Sequence, residues 1–157
     1  MSKATRSYLV FILSTLGVGA LSGLLTRSGM QQFQALALKP PLTLPPVVFP
    51  IVWSLLYLLM GIGAARIFLL PASPARDQAL RLYLFQLAVN FFWSILFFSF
   101  ALYLAAFLWL LFLWALILMM VRDFCRLDRA AGLLQVPYLL WVTFAGYLNL
   151  GVWILNR

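Results

Sequence analysis

The 157-residue chain is 66% hydrophobic and only 9% charged, and its mean hydropathy of +1.05 places it outside the range of water-soluble domains. It has 11 Lys and Arg against three acidic residues, and these cations are scattered between apolar stretches, a pattern typical of lipid headgroup contact and not of a nucleic-acid interface. There is no His, and no acidic residue falls within an apolar stretch, which excludes many metal sites and hydrolase triads.

The first apolar stretch, residues 8–25, is long enough to cross a membrane, because a spanning helix needs about 20 mostly apolar residues. Lys3 and Arg6 precede it and would also suit a cleaved signal peptide. The stretch is long for a signal peptide and the following chain is itself apolar, so the sequence favours a retained helix. Gly19 and Gly23 form a GxxxG pair that permits close packing, either within the chain or with a second subunit.

Residues 26–46 interrupt the apolar pattern. They contain several polar side chains and end in two pairs of prolines, which lack an amide donor and disfavour helix in the residue before them. A short amphipathic helix over residues 31–38 fits the sequence. We predict a loop at the membrane interface, of a length that often forms a lid or a binding element.

The remaining apolar regions predict four more spans. The second covers residues 47–70. Residues 82–121 carry no charge, and as one straight helix they would be about 60 Å long, twice the thickness of the hydrocarbon core. We therefore predict two spans there, residues 82–100 and 103–121, joined by a tight turn. The fifth span covers residues 133–155.

These five spans predict a single-domain, all-α integral membrane protein, a bundle of five transmembrane helices with its termini on opposite sides. The basic residues divide unequally between the two sides. One side would carry Lys3, Arg6, Arg66, Arg76, Arg81, Arg122, Arg126 and Arg129, and the other Arg27, Lys39 and Arg157. Because cytoplasmic segments carry an excess of Lys and Arg, this bias predicts the N-terminus inside and the C-terminus outside.

Aromatic and polar side chains recur at spacings of three and four in three of the spans, which places them on one face of each helix. They are Pro50, Trp53, Tyr57 and Gly61 in the second span, Gln86, Asn90, Trp93 and Phe97 in the third, and Tyr138, Trp141, Ala145 and Asn149 in the fifth. An unpaired amide in hydrocarbon is costly, so these faces should point into the bundle. They are compatible with helix–helix hydrogen bonding alone or with an aromatic-lined pocket.

Three groups of residues stand in a distinctive order along the chain. They are KPPL at residues 39–42 followed by FPIVW at 49–53, NFFWS at 90–94, and VPYLLW at 136–141. Together with the five-span hydropathy, they resemble the translocator-protein or tryptophan-rich sensory protein (TspO/MBR) family in its bacterial form. The resemblance covers nearly the whole chain and implies residence in a bacterial cell membrane.

Members of that family are five-helix bundles, often homodimers, with a pocket beneath the first loop that binds porphyrins and, in eukaryotic members, cholesterol. The resemblance implies a ligand-binding site made of Trp53, Tyr57, Asn90, Trp93, Tyr138, Trp141, Ala145 and Asn149. The chain departs from the family pattern in the first loop, where Leu42, Val47 and Val48 occupy a region that commonly carries tryptophan. We therefore expect a less aromatic lid.

A porphyrin suits such a pocket chemically. It is a flat apolar macrocycle on which tryptophan and tyrosine can stack, and its two propionates could meet Lys39 or Arg27 in the loop. Because the chain has no His, bound haem would lack the commonest axial ligand. We expect free porphyrin or weakly held haem as ligand, with no metal site and no required cofactor.

The sequence is compatible with three functions. The first is a membrane receptor or sensor that binds tetrapyrroles. The second is a light-dependent, porphyrin-degrading catalyst, since Trp53 and Trp141 match the two pocket tryptophans of family members with that chemistry. The third is a tetrapyrrole or sterol transporter. Proton coupling through a buried carboxylate is excluded for a transporter, because Asp77, Asp123 and Asp128 all fall in predicted loops.

Overall fold

The computed structural model describes residues 1–157, and all of its regular structure is helical. The helices are α1 (Lys3–Leu25), α2 (Arg27–Leu36), α3 (Val48–Phe68), α4 (Pro74–Ser94), α5 (Tyr103–Leu127), α6 (Arg129–Leu133) and α7 (Val136–Leu155). A π-helical turn, Ile95–Ser99, continues α4. Five helical segments are long and apolar enough to cross a membrane: α1, α3, α4 with its π turn, α5, and α6 with α7. The prediction of an all-α bundle of five membrane-spanning helices is confirmed.

Several helices extend beyond the apolar stretches that predicted them. Helix α1 begins before residue 8 because the Ser2 hydroxyl accepts a hydrogen bond from the Thr5 amide at 3.1 Å and so caps the first turn. Helix α4 begins well before residue 82, since Ser73 caps it in the same way and Pro74 suits its first position. Hydropathy marks the part of a helix that lies in hydrocarbon, whereas caps determine where the helix begins.

The connection between α4 and α5 contains neither Gly nor Pro. The amide of Phe100 donates to the carbonyl of Ile95 at 3.1 Å, five residues back, and the amide of Leu102 donates to the carbonyl of Leu96 at 3.0 Å. Ala101 then takes a left-handed conformation with φ of 51°. A widened turn followed by one left-handed residue reverses the chain within a few residues, so a hairpin of two spans forms without the usual turn residues.

Helices α1 and α3 lie closest together in the half of the bundle that contains Gly61. A Cβ atom at Gly61 would lie 2.7 Å from Cα of Ile12, so only glycine permits this approach. Further along α1, Gly19 lies against the ring of Tyr57, whereas nothing lies within 4 Å of a Cβ atom placed at Gly23. The predicted GxxxG pair therefore does not act as one packing surface within the chain, because only Gly19 packs against α3.

The same half of the bundle is closed by contacts of α3 with residues 128–135, which comprise α6 and the residues on either side of it. The Gln135 side chain lies against Gly63, and its Nε2 donates to the carbonyl of Leu59 at 3.3 Å. Arg66 forms a salt bridge of 2.8 Å with Asp128, which also caps α6 by accepting the Ala130 amide at 2.9 Å. The interior of the other half, beneath α2, is left open.

Candidate ligand-binding site

A cavity of about 550 Å³ lies in the half of the bundle beneath α2. This volume is within the range of about 300–1,000 Å³ that small-molecule sites occupy in proteins. Helices α1, α3, α4 with its π turn, and α7 form the walls. Residues 26–46, which include α2 and are called the lid below, cover the end of the cavity.

All but one of the predicted ligand-binding residues line this cavity. They are Trp53 and Tyr57 on α3, Asn90 and Trp93 on α4, and Trp141, Ala145 and Asn149 on α7. The exception is Tyr138, which lies below the cavity floor and is 1% exposed. Helical spacing predicted correctly that Tyr138 points inward, but its depth in the bundle removes it from the cavity wall.

The floor of the cavity is a chain of buried hydrogen bonds. The Tyr57 hydroxyl donates to Oδ1 of Asn90 at 3.0 Å, and Nδ2 of Asn90 donates to the Tyr138 hydroxyl at 2.6 Å. Tyr138 in turn donates to Oε1 of Gln86 at 2.9 Å. These bonds join α3, α4 and α7, so the amides fasten the helices to one another as well as bordering the cavity. The inward faces therefore make helix–helix hydrogen bonds and also border a cavity, so hydrogen bonding alone does not account for them.

A second buried amide fixes the indole of Trp93. Its Nε1 donates to Oδ1 of Asn149 at 3.1 Å, and Nδ2 of Asn149 donates to the carbonyl of Tyr103 at 2.8 Å. Helices α4, α5 and α7 are thus joined through one side chain. Because its N–H is bound, the Trp93 ring is held as a preformed part of the cavity wall.

Aromatic rings cluster around Trp53 on α3. Its ring centroid lies 5.6 Å from that of Tyr57, 6.3 Å from that of Trp93 and 6.2 Å from that of Tyr138. These separations fall in the range in which aromatic rings attract one another. The cluster gives the cavity one aromatic side on which a flat apolar ligand can pack.

Trp141 borders the same cavity from α7 and differs from Trp93 in the pairing of its indole N–H. Its Nε1 is buried and has no hydrogen-bond partner, although buried polar groups are normally paired. The ring packs against Phe49 with a centroid distance of 5.7 Å. A ligand carrying a hydrogen-bond acceptor in the cavity would satisfy this indole.

Of the two predicted loop cations, only Lys39 lines the cavity. Its Nζ donates to the carbonyl of Gln34 at 3.1 Å, near the end of α2, and lies 5.3 Å from the centroid of the Phe33 ring. Arg27 instead borders a shallow hollow formed by α2 alone. No carboxylate lines the cavity, so Lys39 gives it a net positive charge.

The lid and α1 also supply wall residues, which the sequence patterns of the other spans do not indicate. Phe33 of the lid packs on Phe97 and Phe98 of the π turn, with centroid distances of 5.2 and 5.6 Å. Ser22 and Thr26 of the α1 end line the cavity and are buried. Ser22 and Thr26 lie one turn apart at the end of an apolar helix, and this spacing of two hydroxyl residues indicates an inward face.

Comparisons with known proteins agree with this architecture. The TspO/MBR family profile matches residues 11–154. The chain is 39% identical to Protein CrtK of Rhodobacter capsulatus over an alignment of 122 residues, and this alignment covers 76% of each chain. It is 31% identical over 159 residues to Tryptophan-rich protein TspO of Chlorobaculum tepidum, covering 99% of each. It is also 31% identical over 148 residues to Translocator protein of Bos taurus, covering 93% of this chain and 87% of the relative.

The fold and the spans define a multi-pass integral membrane protein that encloses a ligand-sized cavity under a short helical lid. The match to the family profile extends over nearly all of the chain, including every residue that lines the cavity. The chain belongs to the TspO/MBR family.

Proposed function

We propose that the protein is a membrane receptor or sensor that binds porphyrins, or chemically similar flat amphiphiles, in the cavity beneath the lid. The names of relatives support the general role, since one from Cereibacter sphaeroides is called Tryptophan-rich sensory protein. The observation that carries the proposal is the combination of an aromatic wall around Trp53 with one cation, Lys39, and no acid in the same cavity. Such a site favours an apolar ring that carries a negative charge.

The donors of the cavity favour a metal-free porphyrin or weakly held haem. The chain has no His, so no imidazole can ligate iron. The unpaired Nε1–H of Trp141 is suited to a carboxylate or another oxygen acceptor on the ligand. The protein would then need no cofactor. That it forms a homodimer, resides in a bacterial cell membrane and has its N-terminus inside stays a prediction.

A photochemical catalyst is the second candidate, because Trp53 and Trp141 line the same cavity. Illumination of bound porphyrin should then give a discrete product that a Trp53→Phe, Trp141→Phe double variant does not make. Equal bleaching in both proteins would count against catalysis. Proton-coupled transport is disfavoured, since each of the three carboxylates is paired with an Arg at a helix end and none lies in the bundle interior.

Titration of the purified protein with protoporphyrin tests the leading proposal. Tryptophan fluorescence should be quenched saturably, and Trp141→Phe should weaken the affinity about fivefold, because about 1 kcal/mol of hydrogen bonding is lost. Trp153→Phe is the matched control, since Trp153 lies on α7 outside the cavity. Linear quenching without saturation, or equal affinity in both variants, would contradict the proposed site.

A further inference from the structure

The cavity wall is incomplete on one side. The lining residues contributed by α4, its π turn and α7 are all buried or half-buried. Exposed lining residues occur only on α1, on the lid and on α3: Ala20, Gly23, Met30, Gln34, Pro46, Pro50 and Ser54. Those on α1 and α3 have small side chains or the compact proline ring, so the barrier between cavity and surroundings is thin there.

The divergence of α1 and α3 explains this gap. The two helices touch at Gly61, where a Cβ atom would lie 2.7 Å from Cα of Ile12, and again where Gly19 lies against the Tyr57 ring. One turn further along α1, a Cβ atom at Gly23 would have no neighbour within 4 Å. The helices therefore separate toward the lid, and the small residues on both sides leave the space between them unfilled.

The surroundings of the gap are apolar. Leu24 on α1 is 69% exposed, and Ile51 and Leu55 on α3 are 63% and 54% exposed. These residues belong to membrane-spanning helices, so acyl chains cover them. The gap consequently opens to the interior of one leaflet and not to water.

We propose that this gap, between Gly23 on α1 and Ser54 on α3, is a lateral window through which the ligand enters and leaves the cavity from the bilayer. The ligand class is an amphiphile with a flat apolar body and an acidic head group. Lys39, the one cation in the cavity wall, lies in the lid beyond the membrane-spanning part of α3. An amphiphile that enters sideways keeps its charge at headgroup depth and avoids the cost of carrying it through hydrocarbon.

The alternative route, upward through the lid, is obstructed by several contacts. Asn156 binds both the amide and the carbonyl of Leu38, at 2.9 and 2.8 Å, and the Tyr147 hydroxyl donates to the carbonyl of Pro41 at 2.9 Å. Phe33 packs on Phe97 at the other end of the lid. These contacts must break for the lid to lift, whereas the window is bordered by small side chains that need not move.

Binding kinetics in proteoliposomes distinguish the two routes. This test rests on the proposed function, with protoporphyrin as the probe. Gly23→Leu should slow association and dissociation, each by about tenfold, whereas a leucine that only reduced the room in the cavity would speed dissociation. Gly17→Leu is the matched control, because Gly17 is also an exposed α1 glycine with no neighbour but does not line the cavity.

Loosening the lid with Asn156→Ala should leave both rates within about twofold of those of the unmodified protein. Unchanged rates in Gly23→Leu, or faster rates in Asn156→Ala, would overturn the window. Ala20→Leu places a second obstruction on the same rim. It should slow both rates as Gly23→Leu does, and normal rates in this variant would also count against the window.

A second measurement does not depend on porphyrin binding. A phosphatidylcholine with a photoreactive acyl chain should label Trp53 and Trp93, which line the cavity. Trp93 is only 8% exposed, so an acyl chain can reach it only from within the cavity. The labelling should persist in Gly17→Leu and fall in Gly23→Leu. Labels confined to outward-facing residues such as Leu13 and Leu24 would overturn the window. Failure to bind porphyrin with normal lipid labelling would instead reject the proposed function alone.

Discussion

Asn156, the last residue but one, holds Leu38 of the lid through both of its backbone polar groups. Nδ2 of Asn156 donates to the carbonyl of Leu38 at 2.8 Å, and the amide of Leu38 donates to Oδ1 of Asn156 at 2.9 Å. The side-chain amide of Asn156 therefore satisfies both the N–H and the carbonyl of one lid residue, as a paired residue in a β-sheet does. Residues 118 positions apart are joined in this way, so the end of the chain determines how firmly the cavity is covered.

Replacement of this residue should loosen the lid without unfolding the bundle. Asn156→Ala removes two hydrogen bonds worth about 1 kcal/mol each, so the amides of α2 and Leu38 should exchange with solvent about tenfold faster or more. Hydrogen exchange followed by mass spectrometry measures the effect. Arg157→Ala, a change at the adjacent residue, should leave the exchange unchanged. Equal protection in Asn156→Ala and the unmodified protein would show that other contacts hold the lid.

The charge of Lys39 should matter only for an acidic ligand. Lys39→Gln should weaken protoporphyrin binding about tenfold, because a charge-assisted hydrogen bond is worth about 1.5–3 kcal/mol. Binding of the uncharged dimethyl ester should stay within about twofold. Arg27→Gln is the control, since Arg27 is a lid cation outside the cavity wall. An equal loss for both ligands would assign Lys39 a purely structural role at the end of α2.

The buried hydrogen bonds beneath the cavity should contribute unequally to stability. Asn90→Ala leaves the hydroxyls of Tyr57 and Tyr138 without their shared partner and should lower the free energy of unfolding by about 1–3 kcal/mol. Tyr57→Phe removes one donor and should cost less. Thermal unfolding in detergent compares the two variants. A smaller loss for Asn90→Ala than for Tyr57→Phe would contradict the bridging role of Asn90.

Gly61 should tolerate no side chain. Gly61→Ala places a methyl group against the backbone of α1 at Ile12, so α1 and α3 must move apart at a cost of about 1–3 kcal/mol. Gly17→Ala, on an open face of α1, should be neutral or slightly stabilising, because alanine favours helix over glycine. The apparent melting temperatures of the two variants measure the difference. Equal temperatures would indicate that the backbones of α1 and α3 leave room for a methyl group at Gly61.

Helical spacing predicted which faces of the spans point inward, but not the depth at which each side chain lies. Trp53, Asn90 and Trp141 border the cavity, and Tyr138 occupies the same inward side one layer deeper. Periodicity gives an angle around the helix axis, whereas depth depends on how neighbouring helices cross. The sequence pattern carries no information about that crossing.

The lid shows a second limit of the sequence. Lys39 and Arg27 both stand in the same connecting segment, yet only Lys39 lines the cavity. The direction of each depends on the path of the chain, which the contact of Gly29 with the backbone of Phe98 and the Asn156 pairing determine. These are contacts between distant residues, and no local pattern predicts them.

A structure of the protein determined with bound protoporphyrin tests the central claim most directly. The macrocycle should lie in the cavity between Trp53 and Trp141, with one propionate within hydrogen-bonding distance of Nζ of Lys39 and an acceptor against Nε1 of Trp141. A cavity that remains empty while the porphyrin binds the outer surface of α2 near Arg27, or the lipid-facing side of the bundle, would contradict the claim.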